Sequence, residues 1–400
     1  MEIRRMEKGD LLQFFKLHTV VYNMRHDFSK PESDDPLEHP AEWAIGVFEG
    51  TRLLAGTFEI DFLMRFDGHS VKLSGIGGVG TLPEARRDGY IRRIFEKILP
   101  EEYEKGIVFS NLAPFSHDFY RKFGYEICST RNNITIPLGD LSEIKNCGQF
   151  SLIHPGDDTT ELNNVHSAYI KNINHGIHRD YWADSRAWKR FTREDPYKNG
   201  AFVYLWKDEN GIARSYLKYK DELNDDGDHV MKVSELAFID KKGLLGALGL
   251  AGILYPQLEE FKWEIPAFID PFDFSGDAWS IETKIVPREM TRIVNVKTAL
   301  ELMRRPSSSG QYVVEVEDKN IPANTGKYLV EFSHDESKVS STSKSADISC
   351  DIHALNQLVT GFRSLENSLV SRRNGLEVHN NIETLKSVFT QRPQHITEYF

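Results

Sequence analysis

Residues Val79 to Phe95, VGTLPEARRDGYIRRIF, bring together the residue types that hold a bound anion. Arg86 and Arg87 can form charge-assisted, bidentate hydrogen bonds, and the first turn of a helix offers backbone N–H groups at the positive end of its dipole. Gly89 lacks the Cβ that would hinder close approach of a ligand. The spacing predicts a diphosphate site, although it also fits an ordinary strand-to-helix turn with solvated arginines.

The elements that position this corner alternate between strand and helix over the first 140 residues. Gly77 and Gly78, in the strand before the corner, mark a bulge, a close backbone approach or simple packing. We expect one mixed sheet with helices around it. Periodicity, turns and caps predict a strand in EIRRMEKGD, a helix from Leu11 to Tyr22 capped by Asp10, a hairpin turning at Glu49-Gly50, a strand from Val71 to Val79, a helix from Tyr90 to Tyr103, a strand in IVFSNLA and a helix in SHDFYRKFGY.

A second copy of this order follows about 160 residues later, where HSVKLS recurs as HVMKVS and the hairpin turn recurs as Asn210-Gly211. Its helix, KKGLLGALGLAG, has no arginine at the positions of Arg86 and Arg87, so we expect that its anion site has been lost. The glycines of that helix recur every third residue and predict close helix packing. ELNDDGDHVMKV fits part of a calcium loop, but Val233 stands where a glutamate is required, so a hairpin turn is predicted.

A third region begins near Asn295, where the pattern changes. The strands QYVVEVED, KYLVEFS and KVSSTS are followed by the helices DIHALNQLVTGF and IETLKSVFTQ. This order predicts a separate α+β domain.

Bulk composition limits the classes to which the chain can belong. Its 400 residues exceed the roughly 250–300 that one core supports. A formal net charge of -11 argues against a general nucleic-acid binder, which needs a basic surface, and favours cationic partners. The three cysteines lie far apart, so we expect neither a disulfide framework nor a metal site. We predict a cytoplasmic protein with no signal peptide and no membrane span.

The corner and the order of elements resemble the acetyl-CoA site of the GNAT N-acetyltransferases, whose pattern is Arg/Gln-x-x-Gly-x-Gly/Ala. Arg86 to Gly89 match this pattern, whereas Ile91 replaces its second small residue. Over its whole length the chain resembles one GNAT subgroup, the enhanced intracellular survival (Eis) family. That resemblance implies two tandem GNAT acyl-CoA N-acyltransferase folds, each a mixed twisted sheet flanked by helices, and a sterol-carrier-protein-like α+β domain. The expected limits are 1–140 for the catalytic domain, 141–292 for a degenerate second one and 293–400 for the third.

The resemblance also implies a reaction, in which the acetyl group of acetyl-CoA passes directly to a primary amine. Tyr120 matches the general acid, since a phenol stays protonated at neutral pH and can donate to the departing thiolate. Tyr125 is the competing candidate, and both tyrosines also fit half-buried core positions. The implied acetyl-CoA-binding residues are Val79, Gly80, Thr81, Arg86, Arg87, Asp88, Gly89 and Tyr90.

The base that the resemblance implies is the α-carboxylate of Phe400, the last residue. Its pKa would be about 3.5 in water, and a dry pocket would raise it. On the residues alone, Phe400 also fits a frayed or packed chain end. His26 and Asp27, in the acidic segment YNMRHDFSKPESDD, are candidate substrate contacts, although that segment fits a solvated loop equally well.

The leading hypothesis is an N-acetyltransferase for cationic amines such as aminoglycosides, polyamines or lysine side chains. The resemblance implies assembly into a homo-hexamer. The alternative is a lipid- or acyl-binding module with a vestigial acetyl-CoA site, and a structural scaffold comes last. The sequence does not distinguish among the amines, because loops of unknown conformation shape the acceptor cleft.

Overall fold

A computed structural model of the chain describes residues 1–23, 40–181, 186–334, 336–373 and 375–398. The described residues fall into two compact units. One contains Met1–Cys128, Arg288–Arg392 and Glu398, and the other contains Ser129–Pro287 and Pro393–Thr397.

The first sheet lies in the first unit, and its strands are β1 (Glu2–Arg5), β2 (Ala44–Glu49), β3 (Arg52–Phe66), β4 (His69–Thr81), β5 (Phe109–Leu112), β6 (Glu126–Ile127) and β14 (Met290–Ile293). Their order is β1-β2-β3-β4-β5-β14-β6. The β4–β5 pair is parallel, and the other neighbours are antiparallel. The hairpin turn between β2 and β3 confirms the prediction at Glu49-Gly50.

Three helices accompany this sheet: α1 (Leu11–Tyr22), α2 (Tyr90–Glu104) and α3 (His117–Arg121). α2 connects the two parallel strands and, as its periodicity predicts, buries Ile94, Phe95 and Ile98. Asp10 directly precedes α1, but the predicted capping bond is absent from the structure described. Instead its carboxylate accepts hydrogen bonds from Arg4 at 2.7 Å and from the backbone N–H of Glu7 at 2.9 Å, because Asp10 ends a short 3-10 helix and already has a helical backbone.

The second sheet repeats the strand order of the first. Its strands are β7 (Thr130–Pro137), β8 (Gln149–Leu152), β9 (Ala201–Lys207), β10 (Ala213–Leu223), β11 (His229–Phe238), β12 (Glu260–Pro266) and β13 (Glu282–Pro287), in the order β13-β7-β12-β11-β10-β9-β8. Here too one pair, β11–β12, is parallel. The helices are α4 (Thr160–Ile170), α5 (Arg186–Phe191), α6 (Pro196–Asn199) and α7 (Lys241–Leu254). The predicted turns at Asn210-Gly211 and at residues 224–228 both join antiparallel strands.

The glycines of α7 allow close packing, as predicted. A Cβ on Gly246 would lie 2.3 Å from the Trp206 ring, and one on Gly252 would lie 2.4 Å from the carbonyl oxygen of Leu141. Real Cβ atoms do not approach other atoms so closely, so a larger residue at either position would displace the helix.

The two seven-stranded sheets exchange one strand each. In the first sheet β14 lies beside β5, and in the second sheet β7 occupies the matching position beside β12. β7 follows β6 in the chain, and β14 follows β13. Each sheet is therefore completed by a strand from the far side of a predicted boundary. The domain limits at residues 140 and 292 remain a prediction.

The third sheet contains β15 (Gly310–Glu317), β16 (Gly326–Phe332), β17 (Ser337–Ser341), β18 (Ile348–Asp351) and β19 (Leu376–Val378). Its order is β17-β16-β15-β18-β19. The associated helices are α8 (Val296–Leu302), α9 (Ile352–Thr360), α10 (Leu365–Leu369) and α11 (Ile382–Val388). All three predicted strands and both predicted helices are present. Among the described residues, no helix is long and apolar enough to cross a membrane.

Candidate active site

The parallel strands β4 and β5 part at one end. Their register begins at Leu73–Phe109 and ends at Ile76–Leu112, whereas β4 continues to Thr81. Beyond Ile76, the edge of β4 that faces β5 has therefore left the ladder. Backbone groups there can pair with an extended ligand as they would with a strand.

A bulge lies in β4 where the strands part. The register with β3 shifts between Gly56–Gly80 and Phe58–Gly77, so two residues, Gly78 and Val79, lie opposite one. Gly78 has a φ of 61°, which favours glycine. A Cβ at Gly78 would also lie 2.7 Å from Nε2 of His18. Of the alternatives that the sequence left open, the bulge is thus confirmed.

The corner that leads into α2 is open to solvent. Arg86, Arg87 and Asp88 are exposed, whereas Tyr90 is buried. Gly89 has a φ of 76°, and no described atom lies within 4 Å of the position that its Cβ would occupy. Glycine is therefore needed for the backbone conformation, and the space beside it is free for a ligand. The helix that follows is 15 residues long, and its first N–H groups have no partner within the helix.

Tyr120 lies on α3, and its ring packs against Phe95, Phe115 and Phe119 with centroid distances between 5.1 and 6.2 Å. It belongs to the same core cluster as Val79 and Leu112, which flank the parting of β4 and β5. Burial raises the pKa of its phenol, and the phenol of Tyr22 adds to this shift. A phenol in this environment stays protonated throughout the neutral range.

Tyr125 is placed differently. Its side chain is fully buried, and its hydroxyl lies 2.7 Å from the Ser110 hydroxyl, next to the buried Glu102. Tyr125 is therefore a core tyrosine whose hydroxyl has a hydrogen-bond partner, which is the alternative role that the sequence analysis gave for both tyrosines. By contrast, the Tyr120 hydroxyl forms no hydrogen bond with the described part of the chain. The contrast favours Tyr120 as the proton donor.

The C-terminal end of α3 is held by side chains from far along the chain. Four consecutive carbonyl oxygens there accept hydrogen bonds: Arg121 from His353 Nε2 at 2.8 Å, Lys122 from Asn320 Nδ2 at 3.2 Å, Phe123 from Arg292 Nη1 at 2.7 Å and Gly124 from Asn356 Nδ2 at 2.8 Å. These bonds satisfy the carbonyls that any helix leaves without a partner. Sequence reasoning missed these donors. The one signal was Arg292, a charge in the apolar strand MTRIV.

The remaining predicted site residues, His26, Asp27 and Phe400, lie outside the described residues. The segment before the chain end is described, and Ile396 and Thr397 are buried. Asn174 accepts a hydrogen bond from the backbone N–H of His395 at 3.0 Å and donates to Pro393 at 3.0 Å. The guanidinium of Arg131 donates to the carbonyl of Ile396. The tail is therefore fixed to the unit of the second sheet up to Thr397.

A comparison with protein families identifies one domain at each end of the chain. Residues 2–128 match the acetyltransferase (GNAT) domain, and residues 296–397 match the sterol carrier protein domain. These matches indicate an acyl-CoA-dependent N-acetyltransferase that contains a GNAT domain and a C-terminal sterol carrier protein domain. No curated protein matches the sequence.

Solved structures share this fold over the whole chain. A GCN5-related N-acetyltransferase from Anabaena variabilis has a TM-score of 0.86 at 18% identity, with 100% of both chains covered. A probable N-acyltransferase from Enterococcus faecalis has a TM-score of 0.84 at 22% identity, covering 100% of this chain and 99% of its own. Eis1 from Mycobacterium abscessus has a TM-score of 0.81 at 18% identity, with 100% of both chains covered. The chain therefore shares its fold with these proteins, Eis1 among them.

Among the described residues, no group of three or more His, Cys, Asp or Glu side chains is placed to hold a metal ion. The cysteines Cys128 and Cys350 are buried, and Cys147 is exposed.

Proposed function

We propose that the protein moves the acetyl group of acetyl-CoA directly to a primary amine of a cationic acceptor: an aminoglycoside, a polyamine or a lysine side chain. The observation that carries this proposal is the parting of β4 and β5 beside the core cluster that contains Tyr120. A strand edge that is not paired with a neighbouring strand and a buried phenol therefore belong to the same small region.

The residues of the site fit acetyl-CoA. Acetyl-CoA supplies an acetyl group activated as a thioester, a pantetheine arm and a diphosphate. Val79, Gly80 and Thr81 would line the arm, because β4 continues to Thr81 beyond the last pair of its ladder with β5. The corner from Arg86 through Asp88 and Gly89 to Tyr90 would hold the diphosphate, since it combines exposed guanidinium groups, open space beside Gly89 and the start of a long helix.

Tyr120 is proposed as the general acid. A leaving thiolate must be protonated as the carbon–sulfur bond breaks, and a buried phenol carries its proton at neutral pH. The aromatic rings of Phe95 and Phe119 hold the ring of the donor in place.

The α-carboxylate of Phe400 is proposed as the general base, with His26 and Asp27 as contacts of the acceptor. These three assignments rest on the resemblance to the Eis family, since the residues lie outside the described part of the chain. The net charge of -11 favours cationic acceptors. Assembly into a hexamer stays a prediction, which sedimentation of the purified protein would test.

Ligand-induced stabilisation tests the proposal. A ligand that binds only the folded state at 100 times its Kd stabilises it by about 2.7 kcal/mol. We expect acetyl-CoA and free CoA to raise Tm, and acetyl-CoA with kanamycin, spermidine or a lysine peptide to release free thiol. No stabilisation by acetyl-CoA would contradict the proposal. Thiol release with none of the three acceptors would contradict the acceptor class.

The alternative of a lipid- or acyl-binding module finds less support in the structure. The apolar residues of α9 on which it depends, Leu355, Leu358 and Val359, are all 0% exposed. They are therefore already used as core. Stabilisation by fatty acyl chains without any effect of acetyl-CoA would revive this reading.

A further inference from the structure

The start of α3 is fixed by two contacts of the residues just before it. Ser116 precedes the helix, and its hydroxyl accepts a hydrogen bond from the backbone N–H of Phe119 at 3.4 Å, which is the contact of an N-cap residue. Phe115, one residue earlier, packs its ring against that of Tyr120, with a centroid distance of 5.4 Å and an interplanar angle of 70°. An apolar residue before the cap that packs on the fourth residue of the helix is a hydrophobic staple, and it fixes the angle at which the chain enters the helix.

Phe115 differs in exposure from the other phenylalanine rings that contact Tyr120. Phe95 is fully buried in the core of the first unit, and Phe119 is the neighbour of Tyr120 on α3. Phe115 lies before the helix and is 69% exposed. Its ring therefore adds little to the core, although a large apolar side chain in water is unfavourable. What the ring does is connect the segment before α3 to Tyr120 and to Phe119, 5.2 Å away.

A helix as short as α3 needs support at both ends. Its five residues are too few for a helix that persists in water by itself. At the C-terminal end, side chains from far along the chain bind the carbonyl groups of residues 121–124. At the N-terminal end, the cap of Ser116 and the ring of Phe115 provide this support. The staple contact is made by the side chain of Tyr120 itself, so it fixes the ring of that tyrosine as well as the helix start.

We infer that Phe115 is a positioning residue, whose ring holds the phenol of Tyr120 in the orientation from which it donates its proton to the leaving thiolate. This inference rests on the proposed function. In that step the O–H bond of Tyr120 breaks, an S–H bond forms on CoA, and the phenolate recovers a proton from solvent before the next turnover. A donor must lie within hydrogen-bond reach of the atom that it protonates, and a misplacement of about 1 Å can cost about 100-fold in rate.

Removing the ring should lower turnover without weakening the binding of acetyl-CoA. Phe115→Ala is expected to lower kcat about 5- to 20-fold and to change KM for acetyl-CoA less than about 2-fold, because the phenol is present but less well placed. Phe115→Leu should keep most of the activity, since an apolar side chain can still pack on Tyr120. Both variants are expected to fold with little change in Tm, because the ring is largely exposed. Phe272→Ala is the matched control, since it removes a phenylalanine ring that is 50% exposed in the second unit.

A double-mutant cycle separates this role from general support of the site. If Phe115 acts only through the Tyr120 hydroxyl, Phe115→Ala should have no further effect on kcat once Tyr120→Phe has removed that hydroxyl. If the ring instead supports the fold of the site, the loss should be the same with and without the hydroxyl. The measurements are kcat and KM from thiol release, and Tm from thermal unfolding, for the full-length wild type, the two single variants and the double variant.

The outcomes distinguish this inference from the proposed function. A protein that neither binds nor turns over acetyl-CoA overturns both. A protein that loses kcat in Tyr120→Phe but keeps the wild-type kcat in Phe115→Ala overturns only the positioning role. An equal loss in both backgrounds, or a rise in KM with kcat unchanged, overturns it too. If Phe115→Ala does not fold, Phe115→Val takes its place in the cycle, because it retains part of the apolar contact.

Discussion

Nη1 of Arg292 lies 2.7 Å from the carbonyl oxygen of Phe123, 169 positions earlier in the chain. The same guanidinium pairs with Asp318, and both side chains are fully buried. α3 has five residues, and a helix so short does not persist in water by itself. Its conformation, and with it the position of Tyr120, therefore depends on this buried pair and on the neighbouring donors.

Breaking the pair should destabilise the protein. In Arg292→Met, the Asp318 carboxylate remains buried without its cationic partner, and the expected loss is about 3–5 kcal/mol in the free energy of unfolding. Removing the charge of Asp318 as well, in Arg292→Met with Asp318→Asn, should recover part of this loss. Urea unfolding measures both values. A loss below about 1 kcal/mol in the single variant would contradict the assigned role.

A glycine next to this arginine provides a steric test. Gly124 has a φ of 81°, and a Cβ there would lie 1.6 Å from Nη1 of Arg292. Gly106 has a φ of 71° but no described atom within 4 Å of its Cβ position. Gly106→Ala should cost about 1–2 kcal/mol, the strain of a left-handed alanine, and Gly124→Ala should cost clearly more. Equal losses by thermal unfolding would mean that Arg292 moves aside freely.

Removal of the Tyr120 hydroxyl tests the general acid. A proton donor acts mainly in the transition state, so Tyr120→Phe should lower kcat by about 100-fold or more with little change in KM for acetyl-CoA. Tyr197→Phe, at a tyrosine that is 79% exposed, is the control for loss of a phenol. Thiol release measured over a range of acetyl-CoA concentrations, with the acceptor saturating, gives both constants. An unchanged kcat in Tyr120→Phe would refute the assignment.

The base can be tested by extending the chain. Addition of a few residues after Phe400 moves the α-carboxylate away from its proposed position and should abolish thiol release while Tm stays unchanged. Removing the guanidinium in Arg131→Met, which releases the carbonyl of Ile396, should weaken activity in the same direction. Wild-type turnover in the extended protein would contradict the assignment of the terminal carboxylate as the general base.

The arginine corner should act on substrate binding. Each charge-assisted bond to a diphosphate contributes about 1.5–3 kcal/mol, so Arg86→Ala with Arg87→Ala should raise KM for acetyl-CoA about 10-fold or more. The increase should shrink at high ionic strength, because salt screens exposed charges. Lys16→Ala with Lys97→Ala removes the same charge from exposed positions on α1 and α2 and should leave KM unchanged. If KM for acetyl-CoA rose equally in both double variants, the net charge of the protein, and not a specific site, would explain the effect.

Glu102 should make stability depend on pH. Burial raises the pKa of this carboxyl to about 8, and the charge of Glu59 acts in the same direction. Between pH 4.5 and 8 the folded protein holds a proton that the unfolded chain has lost, so stability falls as pH rises through this range. Glu102→Gln should remove this pH dependence. Relative to the wild type, its free energy of unfolding should therefore rise by about 1 kcal/mol for each pH unit. Parallel stability curves from pH 5 to 8 would contradict the prediction.

Local patterns predicted much of the fold and part of the candidate site. The hairpin at Glu49-Gly50, α2 and the bulge at Gly78 all depend on residues within a few positions of one another. Apolar periodicity and backbone preferences report such short-range structure directly. The corner from Arg86 to Gly89 was visible for the same reason, since a helix start and its flanking residues are contiguous in the chain.

Other features were beyond any local pattern. The capping role predicted for Asp10 was wrong because Asp10 ends a preceding 3-10 helix and its carboxylate binds Arg4 and the N–H of Glu7, a turn that the pattern of residues did not reveal. The choice between Tyr120 and Tyr125 depended on Ser110, which binds the second hydroxyl. The donors of α3 come from residues 292–356, far from the helix in sequence.

By itself the sequence determined the order of the elements, the two related halves, the arginine corner and the glycines that such turns require, because each follows from neighbours along the chain. Only the tertiary structure decided that β7 and β14 each complete the other half's sheet and that Arg292 holds the turn after Tyr120. Periodicity tells which face of a strand or helix is buried. It carries no information about which distant side chain meets that face, since that depends on how all the elements pack at once.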